Sequence, residues 1–294
     1  MRFSAEAIKS HGYELLLLDK QWHSGGVPEI MEKVLDARVA GIICSLNLRG
    51  EENNPFEARD IPTVGLSSSE HIDTPLVRCD MRDGFRKITD HLLEQGCRRF
   101  VQFSACPEPE LPFQQWRWQQ SQQAFGFRDR LVAASGDHQV LPIEEYPRWF
   151  REIADFPGPA GVTLYSEEVE SAIDDPYNLY FQGGFFSRQL PADRALLPDA
   201  ILCPNDDWAV GAASELMRRH VAIPNDIAVT GFNGSFLSAT FPVPLTTLRQ
   251  PTKEMSELAV SLVIDKIESK STPPKIYDMP GELIVRASSL RSKP

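Results

Sequence analysis

The stretch "AILCPNDDWAVGAA", residues 200–213, changes from apolar to acidic and back to apolar over a short distance. Its first four residues are typical of a buried strand, and "DWAVGAASELMRRH" has the apolar spacing of a helix. An amide and two carboxylates, Asn205, Asp206 and Asp207, stand at the junction. A strand that leads directly into a helix is typical of a parallel α/β sheet.

The same alternation of strand and helix recurs towards both ends of the chain. A buried strand is predicted at Tyr13–Asp19, in "YELLLLD". Further strands are predicted in "GIICSL", "IPTVGLS", "RRFVQFSA", "DIAVTGF", "LTTLRQP" and "GELIVRAS". Helices are predicted in "VPEIMEKVLDARV", "DGFRKITDHLLEQG", "QQWRWQQSQQAFGFRDRLVAASG" and "KEMSELAVSLVIDKIE". This order predicts an α/β fold built from parallel sheets.

Composition narrows the class of protein. The 294 residues are 42% hydrophobic and 24% charged, which is ordinary for a globular protein. The net charge of -11 disfavours direct binding to nucleic acid, because that affinity comes largely from clustered Lys and Arg. The chain has no membrane-length apolar run and no signal peptide at its start, and its five cysteines are scattered. We therefore expect a cytoplasmic protein without membrane partners.

Signatures of common enzymes are absent from the sequence. There is no G-x-x-x-x-G-K-[ST], G-x-G-x-x-G, G-x-S-x-G or H-E-x-x-H pattern. The six histidines are far apart, and the cysteines lack the pairing of zinc sites. We expect neither catalytic residues, nor a metal site, nor a cofactor.

Two long segments resemble LacI/GalR-type transcriptional regulators. Residues 199–251, "DAILCPNDDWAVGAASELMRRHVAIPNDIAVTGFNGSFLSATFPVPLTTLRQP", contain the family's strand, A-N-D-like junction, G-F-D-like turn and P-L-T-T-x-R-Q-P run in order. Residues 79–103, "CDMRDGFRKITDHLLEQGCRRFVQF", resemble its D-N-x-x-G helix and the strand after it. The resemblance covers most of 1–104 and 198–290 and is loose between them.

The resemblance implies the fold of type I periplasmic binding proteins. Two similar, doubly wound parallel-sheet subdomains would hold a ligand cleft between them and be joined by three crossover strands. We expect the N-terminal subdomain to contain residues 1–104 plus 251–272. The C-terminal subdomain would contain residues 105–250 plus 273–294.

The junction residues of the opening stretch are then candidate ligand contacts, since ligands of α/β sheets bind beyond the carboxyl ends of strands. For Asn205 a ligand contact is expected. Asp206 has two equal alternatives, a ligand contact or a cap of the following helix, and Asp207 is expected to be a cap.

Three further candidates follow from the resemblance, each with an alternative role. Asn233 stands where the family has an effector-binding Asp, and its alternative is a turn residue in "NG". Gln250 is a candidate cleft residue or a hinge hydrogen bond. Asp83 is a candidate cleft residue or the N-cap of the helix after it.

Two positions depart from the family pattern. Gln123 stands where the family has an effector-clamping Arg and is a candidate ligand contact. Either Arg117, two turns earlier, reaches into the site in place of that Arg, or the ligand needs no such clamp. Tyr180 is the candidate to stack on a sugar ring, although "LYF" also suits a core.

The family also has a DNA-binding helix-turn-helix headpiece and a first strand at the centre of the N-terminal sheet. This sequence starts inside the segment that matches the first helix, "RFSAEAIKSHGY", so neither element is in it. A sheet without a central strand would leave backbone groups unpaired. The family pairs side by side, and "VPEIMEKVLDARV" and Leu245–Leu248 are the segments expected to contribute to a homodimer.

The leading hypothesis is therefore the effector-binding and dimerisation core of a LacI-type regulator. It would sense a small polar molecule, a sugar or a sugar derivative, and control operator DNA binding through the headpiece that lies outside the sequence. The alternative is a solute-binding protein of a sugar transporter, and an enzyme of the same α/β class is the remote third possibility.

Overall fold

Strands and helices alternate along the computed structural model of this chain and form two separate sheets. The structure describes residues 2–18, 26–44, 56–67, 74–103, seven positions between 123 and 133, 162–164, 179–188, 190–270 and 272–291. In chain order the strands are β1 Ile42–Cys44, β2 Thr63–Leu66, β3 Leu76–Cys79, β4 Phe100–Phe103, β5 Val162–Leu164, β6 Ala200–Leu202, β7 Ala228–Asn233, β8 Thr246–Arg249, β9 Ile276–Met279 and β10 Glu282–Ile284.

The described helices lie between these strands. They are α1 Arg2–Ser10, α2 Gly26–Ala37, α3 Met81–Glu94, α4 Leu179–Arg188, α5 Asp206–Arg218, α6 Phe236–Thr240 and α7 Thr252–Ile267. Positions 123, 126–127, 129–131 and 133 are also helical and are called the Gln123 segment below. Most of the predicted elements are confirmed, whereas β3, β5, β9, α4 and α6 had not been predicted.

The chain divides into two compact units. Unit 1 contains residues 1–79 and 251–279, and unit 2 contains residues 80–250 and 280–294. The expected boundary at 250/251 agrees with this division. The other two differ: β4 pairs with β5 and β6 in unit 2, and β9 pairs with β3 in unit 1.

Unit 1 is built on a parallel sheet with the strand order β1-β2-β3-β9. The helix α7 lies against β1, β2 and β3. Arg78 Nε donates to Asp278 Oδ1 across the β3–β9 pair at 2.5 Å, and Lys266 of α7 pairs with Glu57. These contacts fix the returning segment 251–279 to the first part of the chain.

The prediction of a buried strand at Tyr13–Asp19 was wrong for the described part of that segment. Residues 13–18 form no strand, and Leu15, Leu16 and Leu17 are 44%, 52% and 47% exposed. Burial of an apolar run needs a neighbouring strand to satisfy its backbone. No described strand pairs with this segment, and β1 pairs only with β2 among the described strands.

Unit 2 is built on a larger sheet with the strand order β10-β8-β7-β6-β4-β5. Its pairs are parallel except for the antiparallel β10–β8 pair. One face is covered by α4 and α5, where Phe186 lies between Phe103 and Trp208 with ring centroids at 5.3 and 5.2 Å. This doubly wound sheet confirms the predicted fold class.

The opposite face of this sheet is covered by α3 and the Gln123 segment. Phe85 of α3 stacks on Phe232 of β7 at 5.7 Å, and Phe127 meets Phe100 of β4 edge-on at 5.9 Å. The two helical segments approach closely, because a Cβ at Gly126 would lie only 2.1 Å from the carbonyl oxygen of Arg82.

Two segments expected to contribute to a dimer have most of their apolar side chains buried within the units. Leu245 and Leu248 are fully buried in unit 2, so Leu245–Leu248 cannot present side chains of this kind to a partner. In α2, Ile30, Met31 and Val34 pack into the core of unit 1. None of the helices in the described part of the chain has the length and apolar character of a membrane span.

Gly183 is predicted to be irreplaceable at the crossing of α4 and α5. A Cβ there would lie 2.0 Å from the carbonyl oxygen of Trp208, whereas a Cβ at the adjacent Gly184 would meet Gly211 O at 3.4 Å. We expect Gly183→Ala to lower the free energy of unfolding by roughly 2 kcal/mol or more, because the helices must separate. Gly184→Ala is the matched control and should be neutral or stabilising by up to about 1 kcal/mol. Urea unfolding measures both, and equal effects would contradict this packing.

His91 is predicted to make stability depend on pH. Its Nε2 lies 2.7 Å from Ser289 Oγ, which lies 2.6 Å from Thr246 Oγ1, and burial lowers the pKa of His91. Below about pH 6.5 an unfolded histidine binds a proton that folded His91 does not, so acidification favours unfolding. We expect the free energy of unfolding to fall between pH 7.5 and 5.5, and less steeply in His91→Gln. Identical slopes in the two proteins would contradict this role.

Candidate functional site

The carboxyl ends of β6, β7 and β8 bring uncharged amide side chains to one edge of the unit 2 sheet. Asn205 follows β6, Asn233 ends β7 and Gln250 follows β8. These strands are parallel neighbours, so their carboxyl ends lie side by side. That edge is where α/β sheets bind ligands, and it is the candidate site.

Asn205 is the N-cap of α5. Its Oδ1 accepts a hydrogen bond from Trp208 N at 2.9 Å, and its backbone is extended, as a cap requires. The cap expected at Asp207, and weighed against a ligand contact at Asp206, is therefore at neither residue. No described residue accepts a hydrogen bond from Asn205 Nδ2, which leaves a donor available at the strand end.

Asp206, the first residue of α5, is fully buried at the carboxyl end of the sheet. Its Oδ2 accepts from Ser235 N at 2.6 Å, and its Oδ1 accepts from Thr247 Oγ1 at 2.6 Å. Burial raises the pKa of this carboxyl group, and the hydrogen bonds from Thr247 and Ser235 oppose the rise. Both oxygens are thus engaged within unit 2, and they tie α5 to the loop after β7 and to β8.

A glycine makes room for this carboxylate. A Cβ at Gly231 of β7 would lie 2.4 Å from Asp206 Oδ1. The neighbouring Asp207 is exposed in the first turn of α5, where its charge favours the helix N-terminus.

Asn233 and Gln250 are in contact with each other. Gln250 Nε2 donates to Asn233 Oδ1 at 2.7 Å, and the φ of Asn233 is 115°, in a region that Asn tolerates better than most residues. This bond leaves Asn233 Nδ2 as a donor and Gln250 Oε1 as an acceptor. The two side chains therefore offer a mixed polar edge without charge.

Asp83 lies in the first turn of α3 and is not its cap. Asp80 Oδ1 accepts from Asp83 N at 2.9 Å and caps the helix, which corrects the alternative proposed for Asp83. The Asp83 carboxylate lies 2.7 Å from Lys87 Nζ, which also donates to Gly281 O at 3.0 Å. Asp83 thus belongs to an ion pair on α3.

Gln123 is buried and contacts the segment that follows β6. Its Nε2 donates to the carbonyl oxygen of Pro204, the residue before Asn205, at 3.0 Å. Arg117 and the side chain of Tyr180 lie outside the described residues, although the backbone of Tyr180 is in α4. Among the described residues, no cluster of His, Cys, Asp and Glu could hold a metal ion.

One polar residue near this edge had not been predicted. Gln102 of β4 is 1% exposed. Its only signal in the sequence is a single glutamine in the otherwise apolar strand "FVQF", and a strand there fits the fold without it.

Comparison with known proteins gives a family and several relatives. A family model for the periplasmic binding protein-like domain matches residues 89–289. The chain is similar to the ribose operon repressor of Halalkalibacterium halodurans, with 24% identity over 289 residues that cover 97% of this chain and 72% of the relative. It is also similar to the transcriptional repressor PurR of Aliivibrio fischeri, with 33% identity over 101 residues. That match covers 34% of this chain and only 30% of PurR.

Solved structures with the same fold cover nearly the whole chain. One is a periplasmic binding protein/LacI transcriptional regulator from Alkaliphilus metalliredigens complexed with D-xylulofuranose. It has a TM-score of 0.70 and 22% identity, and the match covers 98% of this chain and 91% of that one. Another is a dimeric Lac repressor with an 11-residue C-terminal deletion, with a TM-score of 0.74, 16% identity, and coverage of 99% and 93%.

Asp206 is predicted to hold the site together through its hydrogen bonds. Asp206→Ala would leave Ser235 N and Thr247 Oγ1 without their acceptor, and we expect a loss of roughly 2 to 4 kcal/mol in the free energy of unfolding. The control is Asp207→Ala, which removes an exposed carboxylate from the same turn and should cost less than about 1 kcal/mol. Chemical denaturation compares the two variants. A small effect of Asp206→Ala would contradict the structural role.

Proposed function

This chain belongs to the family of periplasmic binding protein-like domains and has the LacI-type effector-binding core, and on that premise we propose that it senses a small polar molecule for a transcriptional regulator. The effector is a sugar or a sugar derivative, and its binding controls the affinity of the regulator for operator DNA. The observation that carries the proposal is the convergence of Asn205, Asn233 and Gln250 at one sheet edge.

The chemistry of these side chains supports a neutral, hydroxyl-rich ligand. Each amide has a donor and an acceptor, and each keeps one of them unused by the described residues: Nδ2 of Asn205, Nδ2 of Asn233 and Oε1 of Gln250. A sugar hydroxyl both donates and accepts, so it can pair with either kind of atom. Two similar proteins support a sugar as the ligand: the ribose operon repressor and the regulator complexed with D-xylulofuranose.

Contact with DNA is proposed to come from a headpiece outside this sequence. A net charge of -11 makes the core itself a poor ligand for phosphates. We further propose that the core forms a homodimer, which the dimeric Lac repressor of the same fold supports. The protein would act in the cytoplasm, where operator DNA is found, and as a binding protein without catalytic residues or a cofactor.

A thermal-shift panel tests the proposed function. We expect one or more neutral sugars among D-ribose, D-xylose, D-glucose and cellobiose to raise the Tm. Binding to the folded state alone stabilises it by about 2.7 kcal/mol at a ligand concentration of 100 times Kd. That corresponds to roughly 5 °C or more in a domain of this size. A wild-type chain whose Tm responds neither to these sugars nor to their acid and phosphate derivatives would overturn the proposal.

Asn205→Asp tests, in the same thermal-shift panel, whether Asn205 contacts the sugar. Asp caps helices as well as Asn, so the hydrogen bond from Trp208 N is kept, but the Nδ2 donor is lost and a charge is added. We expect the Tm without sugar to change by only a degree or two and the response to sugar to fall by at least tenfold in affinity. An unchanged response would show that Asn205 does not contact the sugar.

A further inference from the structure

Gln102 of β4 has a buried side-chain amide. Its side chain is 1% exposed, and neither Oε1 nor Nε2 has a hydrogen-bond partner among the described residues. Buried amides are normally paired, because an unpaired one is less stable there than an apolar side chain of similar size. A leucine in this position of β4 would continue the apolar strand. The glutamine therefore calls for an explanation other than stability.

Gln123 is a second buried amide with an unused atom. It is 4% exposed, and its Oε1 has no hydrogen-bond partner among the described residues. Its orientation is determined by its contact with Pro204, because a carbonyl oxygen only accepts and Gln123 must direct Nε2 towards it. The remaining polar atom, Oε1 of Gln123, is therefore an acceptor.

The two glutamines lie on the same face of the sheet. Gln102 is two residues after Phe100 on β4, and Gln123 is one helical turn before Phe127, so each shares a face with its aromatic neighbour. Phe100 and Phe127 are in contact, with ring centroids at 5.9 Å. The opposite face is the one on which Phe103 packs against Phe186.

Both glutamines also lie towards the carboxyl end of the strands. Gln102 is opposite Leu202, the last residue of β6, and Gln123 reaches Pro204, two residues further on. Asn205 of the candidate site is the next residue. Both glutamines thus lie near the strand ends that carry the amides of the candidate site.

We propose that Gln102 and Gln123 form the inner wall of the effector site and bind hydroxyl groups of a neutral ligand. This inference rests on the proposed function and names the ligand class more narrowly. The unused atoms are two carbonyl oxygens and one amide NH₂ group. Hydroxyls can donate to the oxygens and accept from the NH₂ group, whereas a carboxylate or phosphate would be repelled by two acceptors. The site selects neutral sugars over sugar acids and sugar phosphates.

The test is Gln102→Leu, with Gln102→Met as a second variant of similar shape. Without sugar, we expect both variants to melt higher than wild type, by roughly 2 to 4 °C, because the unpaired buried amide is removed. With D-ribose, D-xylose or D-glucose, whichever raises the wild-type Tm, we expect the affinity of the variants to fall at least tenfold. D-ribonate, D-xylonate, D-gluconate and glucose 6-phosphate should not raise the wild-type Tm.

Ser187→Ala is the matched control. Ser187 Oγ is also buried without a hydrogen-bond partner among the described residues, but it lies on α4, whose Phe186 packs on the opposite face of the sheet. We expect this variant to keep or raise the Tm without sugar and to respond to sugar like wild type. An equal loss of the sugar response in Ser187→Ala and Gln102→Leu would overturn the assignment.

Three other outcomes would overturn the inference, and they are distinguishable. If both Gln102 variants melt lower than wild type without sugar, the amide is a structural group. If they melt higher and still respond to sugar like wild type, the amide binds only internal water and the proposed function stands. If a sugar acid raises the wild-type Tm and no neutral sugar does, the ligand class is wrong. A wild-type chain that responds to no compound overturns the proposed function itself.

Discussion

The candidate site depends on the two hydrogen bonds that the buried carboxylate of Asp206 accepts. One comes from the backbone of Ser235 and the other from the hydroxyl of Thr247, so one side chain joins the N-terminus of α5 to the loop after β7 and to β8. Gly231 leaves the space that the carboxylate occupies. A buried charge of this kind is tolerated only when its hydrogen bonds are satisfied, and here they also fix the spacing of three strand ends.

At the strand ends fixed in this way, hydrogen bonds within the protein determine which amide atoms remain for a ligand. Asn205 uses its oxygen to cap α5 and keeps its NH₂ group, and Gln250 uses its NH₂ group on Asn233 and keeps its oxygen. Each side chain is held by one of its two polar atoms and presents the other. Such preorganised amides can bind a ligand without losing much side-chain entropy.

At the two buried glutamines the pattern is reversed, because the polar atoms of Gln102 and the oxygen of Gln123 are held by nothing among the described residues. Local sequence rules are most often broken where a protein carries function at the expense of stability. In the proposed site, the amides at the edge and the two buried glutamines together form one uncharged polar layer.

The sequence by itself determined the class of fold and the position of the candidate site along the chain. A strand-to-helix junction such as residues 200–213 is typical of a parallel sheet, which made Asn205 a candidate, and the resemblance to LacI/GalR-type regulators added Asn233 and Gln250. Only the tertiary structure decided that Asp206 is structural, that Asp80 caps α3, and that Leu15–Leu17 are exposed. It also revealed Gln102. These facts depend on which groups meet across strands that are distant in sequence, and local patterns contain no information about such partners.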